Sequence, residues 1–422
     1  MKKRQDDEVK EMIKFFLAKK MLDEYVKIGK PFAIYRHPDG KNIYLVTPDK
    51  QDIDYYHDLS KLNGQDGFVF APFQVTEQCP IVMFHYTQEN HCALFGDSPL
   101  FTHTDNMAAF MAEHNYLTML TEAYPTPELD VPVLEEYKKA FAIYMKALQD
   151  DRFKKLVLAT VFGLAVSEEE GKKSKMSYED VFYAACHYCP HSFVYMFYTP
   201  KTGLWVGATP EVLLSGEEED WHTMALAGTQ PLQNGKLPKK WDEKYRKEQA
   251  YVADYIREQL NSIGIQAEEE GPYPVPAGLL SHLRTDFSFK LPESTSVTDL
   301  LKLLHPTPAV CGLPKEEAFH FILENEGFDR RYYSGFVGSI ELEGTTDLYV
   351  NLRCLTTNGD FICLYAGGGL IEGADMEEEW KEAEKKSYTM GRLLRAVPYK
   401  DIFDEYYNKE ETCTPKKKTY LN

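Results

Sequence analysis

The sequence predicts an α+β fold in which large antiparallel β-sheets are flanked by helices. Short apolar runs separated by Pro, Gly, Asp and Asn follow one another in the N-terminal part of the chain, as in antiparallel strands joined by turns. From Phe153 onward, short strand-like runs alternate irregularly with longer helical patterns, and this mixture is typical of α+β proteins. The 422 residues, of which 43% are hydrophobic, suffice for a large core.

Each element is assigned from its hydrophobic period and from the residues that bound it. Apolar residues at helical spacing predict helices at 5–28, 105–122, 133–149, 177–188, 241–262, 297–303, 314–326 and 375–395. Short apolar runs between turn residues predict strands at 33–35, 43–46, 68–70, 81–84, 155–160, 193–198, 212–215, 335–342, 348–355 and 361–366. We expect residues 1–150 to complete the core, residues 151–396 to form the main functional region, and residues 397–422 to be a solvated tail.

The bulk composition excludes several classes of protein. A formal net charge of -19 argues against a nucleic-acid binder, which needs a dominant basic face. Neither a signal-peptide core nor a membrane-spanning stretch is evident, so we expect a cytoplasmic protein with no membrane partner. Most of the eight cysteines are scattered singly, as reduced core residues are. The pair Cys186 and Cys189 reads as a helix end with incidental thiols, because structural zinc needs four ligands.

Two titratable residues lie where acid-base chemistry would need them. Strand alternation places Lys155 on the same face as Val157 and Ala159. Desolvation disfavours the charged form of such a lysine, which is how it becomes a base near neutral pH; a lysine that reaches from a strand end to water is the alternative. Glu211 lies between a Gly/Pro turn and a strand. Apolar neighbours that raise its pKa would make it a general acid, whereas most glutamates beside turns are simply solvated.

Carboxylates on two predicted helices form a candidate metal site. Glu248 lies in the helix at 241–262, while Glu379 and Glu382 follow Asp375 and precede Lys386 at spacings of three or four residues. Carboxylates that converge from two elements suit a hard cation such as Mg²⁺. The residues alone equally allow a solvated helix face with an internal pair between Glu382 and Lys386.

Two strand-to-glycine transitions complete the candidate residues. They occur in ALAGT at 225–229 and in YAGGGL at 365–370. Glycine at such a position lets backbone N–H groups approach an anion closely. Tight turns use the same glycines, so this signal is weak when it stands alone.

Taken in order, these segments resemble the chorismate-binding domain that isochorismate, salicylate, anthranilate and aminodeoxychorismate synthases share. The resemblance covers residues 150–395, more than half of the chain. The blocks that carry it are KLVLA at 155–159, GATPE at 207–211, ALAGT at 225–229, LHPTPAVCG at 304–312, YSGFVG at 333–338, YAGGGL at 365–370 and EEEWKEAEKK at 377–386. So many blocks in the same order do not arise by coincidence.

The resemblance implies an enzyme that converts chorismate to isochorismate. Lys155 would activate a water molecule that adds at ring carbon 2, and Glu211 would protonate the hydroxyl that leaves carbon 4; this step needs an opposed base and acid and no covalent nucleophile. Glu248 and Glu382 would hold Mg²⁺, with Glu379 acting directly or through water, and the ion would neutralise a substrate carboxylate.

The resemblance also implies a set of groups that hold the remaining carboxylate and the ring. This set consists of Tyr333, Arg353, Lys386, the backbone at Gly228, Thr229 and Gly367, and His282 as a polar wall residue. Arg353 is expected in the middle of the strand at 348–355, where its charge needs a partner such as a carboxylate.

Other features distinguish among the family's reactions. Ala227 stands where some aminodeoxychorismate synthases carry a nucleophilic lysine, and ammonia-using anthranilate synthases lack a lysine at position 155. Both features favour water as the nucleophile and no glutamine amidotransferase partner. The nearest alternative is a salicylate synthase, and an inert chorismate-binding subunit is an alternative of another class. The chain departs from the family pattern at Thr160, Tyr245 and Gln249. Whether the product feeds menaquinone or a catechol siderophore is left open.

Overall fold

The computed structural model describes residues 21–88, 90–95, 134–165, 177–232, 236–277, 280–341, 344–358 and 361–395. Their strands form two nine-stranded antiparallel sheets, in the order β14-β7-β18-β17-β9-β8-β1-β2-β6 for the first sheet and β12-β13-β11-β10-β16-β15-β4-β5-β3 for the second. The strands are β1 Phe32–Arg36, β2 Ile43–Val46, β3 Ile53–Tyr56, β4 Gly67–Ala71, β5 Ile81–His85, β6 His91–Phe95, β7 Lys155–Ala165, β8 Phe193–Thr199, β9 Gly203–Thr209, β10 Val212–Glu217, β11 Asp220–Pro231, β12 Glu268–Ala277, β13 Leu280–Lys290, β14 Gly312–Leu313, β15 Phe336–Ile340, β16 Thr346–Val350, β17 Cys354–Thr357 and β18 Phe361–Leu370. The α+β prediction is confirmed.

Helices cover the outer faces of the sheets. They are α1 Met21–Lys27, α2 Leu134–Gln149, α3 Tyr178–Tyr188, α4 Glu243–Ser262, α5 Val297–Leu304, α6 Lys315–Asn325 and α7 Met376–Gly391. The predicted helix at 105–122, and residues 5–20 of the first predicted helix, lie outside the described residues. No helix in the described ranges is both long enough and apolar enough to cross a membrane.

An aromatic layer holds the two sheets face to face. Phe70 of the second sheet packs against Phe197 of the first with ring centroids 4.5 Å apart, and Phe193 stacks on Tyr349 at 4.3 Å. Every residue of β8 and β9 is buried, because α1 and α3 cover the opposite face of the first sheet. Burial on both faces explains why these strands read as continuous apolar runs.

The predicted strand at 348–355 is wrong in one respect, because the chain breaks there and passes from one sheet to the other. β16 belongs to the second sheet and β17 to the first, and Arg353 between them adopts a positive φ of 49°. Asn351 fixes the crossing: its Nδ2 donates to the Tyr332 carbonyl at 2.8 Å, and its Oδ1 accepts from the Tyr195 hydroxyl at 2.6 Å. Arg353 is therefore in the crossing and not in the middle of a strand.

The two cysteines of the CxxC pair lie where the sequence places them. Cys186 is in α3 and Cys189 caps the end of that helix. Both are buried free thiols, and burial raises the pKa of the Cys186 thiol to about 12. These thiols are apolar core residues and not a reactive pair, as predicted.

Candidate active site

A pocket between the two sheets contains most of the candidate residues. Those that line it directly are Glu211, Gly228, Thr229, Glu248, His282, Tyr333, Arg353, Gly367 and Lys386. Lys155, Glu379 and Glu382 lie at its edge, around the glycines of β18. The twelve candidate residues, which are far apart in sequence, are thus brought to one place.

Lys155 is the first residue of β7 and is fully buried. Its Nζ lies 3.1 Å from Glu248 Oε1 of α4, and it makes no hydrogen bond of good geometry within the described part of the chain. The pair fits only because position 369 is glycine: a Cβ there would overlap Glu248 Oε1 and lie 2.7 Å from Lys155 Cε. The glycines of β18 therefore make room for Lys155 and its carboxylate partner.

Glu211 lies between β9 and β10, where backbone contacts fix its direction. Its N–H donates to Thr209 Oγ1 at 3.3 Å, and its carbonyl accepts from the Val350 N–H at 2.9 Å. Burial raises the pKa of the Glu211 carboxyl to about 8, and the cations of Lys155, Arg353 and Lys386 lower it by less. Glu211 is therefore mostly protonated near neutral pH and has a proton to donate.

Arg353 and His282 form a pair in which only the arginine is charged. The Arg353 Nη2 donates to His282 Nε2 at 2.9 Å. Burial, followed by the charges of Arg353 and Lys386, holds the pKa of His282 well below its usual value, so the imidazole is neutral and its other nitrogen, Nδ1, donates towards the Gly228 carbonyl at 3.3 Å. The expected carboxylate partner of Arg353 is replaced by this neutral ring, so the guanidinium charge remains available to an anionic ligand.

Two glycines, Gly228 and Gly367, line the pocket with their backbone. Gly228 has a φ of +72° at a bulge of β11, and a Cβ there would meet the Tyr245 carbonyl at 2.6 Å. Lys386 Nζ donates to the Gly367 carbonyl at 2.8 Å, and a Cβ at Gly367 would lie 3.1 Å from the Tyr333 hydroxyl. The backbone of both glycines is thereby exposed to the pocket.

Each of the three candidate metal ligands is paired with a lysine. Glu382 pairs with Lys386 at 2.7 Å and Glu379 with Lys244 at 2.7 Å, while Glu248 pairs with Lys155. Burial raises the pKa of Glu379 to about 7, and the charges of Glu382 and Glu248 add to this.

These carboxylates fit Mg²⁺ in donor chemistry, and their mutual repulsion is what a divalent cation would relieve. No group of three His, Cys, Asp or Glu side chains in the described ranges is close enough to form a ready-made metal site. The carboxylates would therefore have to exchange their lysine partners for the ion.

The departures from the family pattern lie beside the pocket. Gln249 is buried and donates to Thr285 Oγ1 of β13 at 2.7 Å, which ties α4 to the second sheet. Tyr245 lies against Gly228 through its backbone. Thr160 is buried in β7 opposite Ala366. The three departures thus lie on α4 and β7, the two elements that also carry Glu248 and Lys155.

Three residues that support the site, Glu326, Arg330 and Lys244, were not among those predicted from the sequence. Glu326 and Arg330 form a buried ion pair; Glu326 Oε1 accepts from the Ala159 N–H at 2.7 Å, and Arg330 Nη2 donates to the Val157 carbonyl at 2.9 Å. The pair thus fixes β7 next to the pocket. The spacing of four residues at the end of a predicted helix was the available signal. Lys244, also missed, lies four residues before Glu248 on α4.

Comparison with known proteins shows where this fold and these motifs recur. The family model described as chorismate binding enzyme matches residues 81–395. Isochorismate synthase EntC of Escherichia coli (strain K12) is 31% identical over 206 residues, covering 46% of this chain and 53% of EntC. Isochorismate synthase MenF of the same strain is 31% identical over 214 residues, covering 48% of each chain. The aligned part thus spans about half the length of these relatives.

Solved structures share the fold at lower identity. MenF, the menaquinone-specific isochorismate synthase from Escherichia coli, superposes with a TM-score of 0.66 and 20% identity, covering 86% of this chain and 88% of MenF. Anthranilate synthase component I from Streptococcus pneumoniae TIGR4 superposes with a TM-score of 0.59 and 17% identity, covering 86% of this chain and 90% of the other.

Proposed function

Because this chain belongs to the family of chorismate-binding enzymes, we propose that it is an isomerase that converts chorismate to isochorismate. The observation that carries the proposal is the environment of Glu211. This carboxyl has a pKa of about 8 and lies in one pocket with the charged groups of Arg353 and Lys386, near the buried Lys155. A protonated acid in the pocket and a buried lysine at its edge suit the exchange of a ring hydroxyl with water.

The proposed step moves one proton at each end of the substrate. Acting as the base, Lys155 takes a proton from water, whose oxygen bonds to ring carbon 2. The double bonds shift, the bond from carbon 4 to its hydroxyl breaks, and Glu211 gives its proton to the leaving oxygen. One water is consumed and one is released, so the step is balanced and reversible.

The chain's other pocket residues would hold the substrate. Arg353 presents a guanidinium whose described hydrogen bonds go to the neutral groups of His282 and Thr389, so it can pair with a substrate carboxylate. The backbone at Gly228 and Gly367 would lie against the ring.

Mg²⁺ is part of the proposal, with Glu248 and Glu382 as ligands and Glu379 bound directly or through water. The ion would neutralise a carboxylate of the substrate. We place the enzyme in the cytoplasm, where its scattered cysteines stay reduced. Either menaquinone or a catechol siderophore would be made from its product.

The product assay tests the reaction. Purified protein given chorismate and Mg²⁺, without ammonia or glutamine, should approach one mixture of chorismate and isochorismate from either side, as measured by chromatography. Salicylate with stoichiometric pyruvate would show the salicylate synthase reaction instead. Anthranilate or aminodeoxychorismate formed only with an amine donor would refute the proposal, and binding without turnover would indicate an inert subunit.

Substitutions at the proposed ligands test the metal. Glu248→Ala or Glu382→Ala should remove activity while the protein stays folded by circular dichroism. Glu378→Ala is the matched control, because Glu378 is an exposed acid on the same helix as Glu382. Full turnover in excess chelator would contradict the requirement for Mg²⁺.

A further inference from the structure

Each carboxylate of the proposed metal site is paired with a lysine, and the three lysines differ in their exposure to solvent. Lys155 is 0% exposed. Lys386 is 12% exposed and is also bonded to the Gly367 carbonyl. Lys244 is 27% exposed and has a side-chain hydrogen bond to Glu379 alone among the described residues. Of the three, Lys244 can leave its carboxylate and reach water at the lowest cost.

The Lys244 side chain contacts a second helix although an acid of its own helix lies within range. Lys244 and Glu248 are four residues apart on α4, a spacing at which oppositely charged side chains can pair. The Lys244 Nζ instead lies 2.7 Å from Glu379 Oε1 on α7, while Glu248 holds Lys155. Lys244 therefore links the two helices beside the carboxylates proposed to hold Mg²⁺.

We propose that Lys244 is a tethered counter-cation that neutralises Glu379 in the metal-free protein and withdraws to solvent when Mg²⁺ binds, so that it sets the affinity of the site for the ion. The proposal rests on the proposed metal site. The ammonium group and Mg²⁺ compete for the same buried carboxylate, because the two cations repel each other when both lie close to it. Competition of this kind weakens metal binding and keeps the empty site stable.

Titration of the whole protein with Mg²⁺ alone tests this role. Lys244→Gln removes the competing charge, so the Kd for Mg²⁺ measured by calorimetry should fall by about fivefold to tenfold, as for one partly exposed charge pair. The rise in Tm on adding Mg²⁺ should be larger than in the wild type. Lys244→Arg keeps a competing cation and should leave the Kd close to the wild-type value.

Lys247→Gln is the matched control, because it changes the net charge equally. Lys247 is exposed on the same helix, with its Nζ 5.8 Å from the ring of Tyr251, and its loss should leave the Kd unchanged. In a Glu379→Gln background, Lys244→Gln should have no further effect on the Kd. This double variant keeps the test valid if Lys244→Gln alone proves poorly folded.

The outcomes separate this inference from the proposed function. If the wild type and Lys244→Gln bind Mg²⁺ with the same Kd, or if Lys244→Gln binds it more weakly, the counter-cation role is wrong and the metal site stands. If none of the variants binds Mg²⁺, the metal assignment itself fails.

Discussion

At the scale of single residues, the surroundings of Glu211 determine its chemistry and also link it to stability. Its pKa is about 8 in the folded protein and ordinarily 4.5. Between pH 4.5 and pH 8, the folded state therefore holds a proton that the unfolded state has lost. The contribution of this proton to the free energy of unfolding is fully present below pH 4.5 and is lost as the pH rises through 8, by up to roughly 1.4 kcal/mol per pH unit.

Glu211→Gln should therefore separate activity from stability. The variant keeps a neutral, isosteric side chain, so turnover should disappear, while the loss of unfolding free energy between about pH 5 and about pH 8.5 should become smaller. Urea unfolding at both pH values measures this. Wild-type turnover should fall as the pH rises through 8, and a pH dependence of stability that is unchanged in the variant would contradict the buried-acid assignment.

The two adjacent lysines offer a matched test of the base. Lys155→Ala should lower turnover by about 10²-fold or more, the usual contribution of a positioned base. Lys154 immediately precedes β7, is 55% exposed and pairs with Asp151 at 2.6 Å, so Lys154→Ala should retain most of the activity. The rate of isochorismate formation in each variant, measured by chromatography, tests this prediction. Equal losses of activity in the two variants would rule out the base assignment.

The candidate residues could be identified from the sequence, but the side chains that each of them contacts could not. The alternation of β7 indicated only that Lys155 shares a face with Val157 and Ala159, and the turn before β10 indicated only that Glu211 precedes a strand. Their roles followed from the resemblance to the family. The partners depend on the tertiary structure: Glu248 reaches Lys155 from α4, and a neutral His282 holds Arg353. No local pattern determines which carboxylate an ammonium group meets when two helices converge, and Lys244 was missed for this reason.

At the scale of elements, β8 follows its predicted range closely. β18 continues four residues beyond its predicted end at residue 366, and β9, although fully buried, was not predicted. β12 contains Gly271, Pro272, Pro274 and Pro276, and no strand was predicted there. It lies at the edge of the second sheet, where proline does not interrupt a ladder. The break between β16 and β17 was missed because a change of sheet leaves both flanks apolar.

The glycines of β18 give a prediction about an element. A methyl group at Gly369 would overlap the Glu248 carboxylate, so Gly369→Ala should displace Glu248 and Lys155 and reduce turnover by about 10²-fold. Gly391→Ala, at the end of α7, meets only ordinary contacts at 3.4 Å and 3.9 Å and should leave turnover unchanged. Steady-state kinetics with thermal melts test the pair; a fully active Gly369→Ala would show that the glycine is not required.

At the scale of the whole molecule, strands from before residue 96 belong to both sheets. β1 pairs with β8 over five residues, from Phe32 to Arg36, and β4 pairs with β15. A chain starting near residue 150 would expose the edges of β8 and β15 together with the aromatic layer.

We therefore expect such a fragment to be insoluble and inactive. Limited proteolysis followed by mass spectrometry and the product assay tests this expectation. Release of a stable, active fragment that begins near residue 150 would show that the N-terminal part is a separate domain.

The order of the strands also constrains how the protein is made. β18 lies between β7 and β17 in the first sheet, and β4 meets its partner β15 where Phe70 faces Val337. A ribosome releases the N-terminal strands first, so the nascent chain must keep open strand edges until residue 370 has emerged. Cellular chaperones recognise such edges and exposed apolar surface. The sheets of this protein therefore close only after residue 370 has emerged, and the glycines of β18 and helix α7, which frame the pocket, are synthesised after every other strand of the described residues.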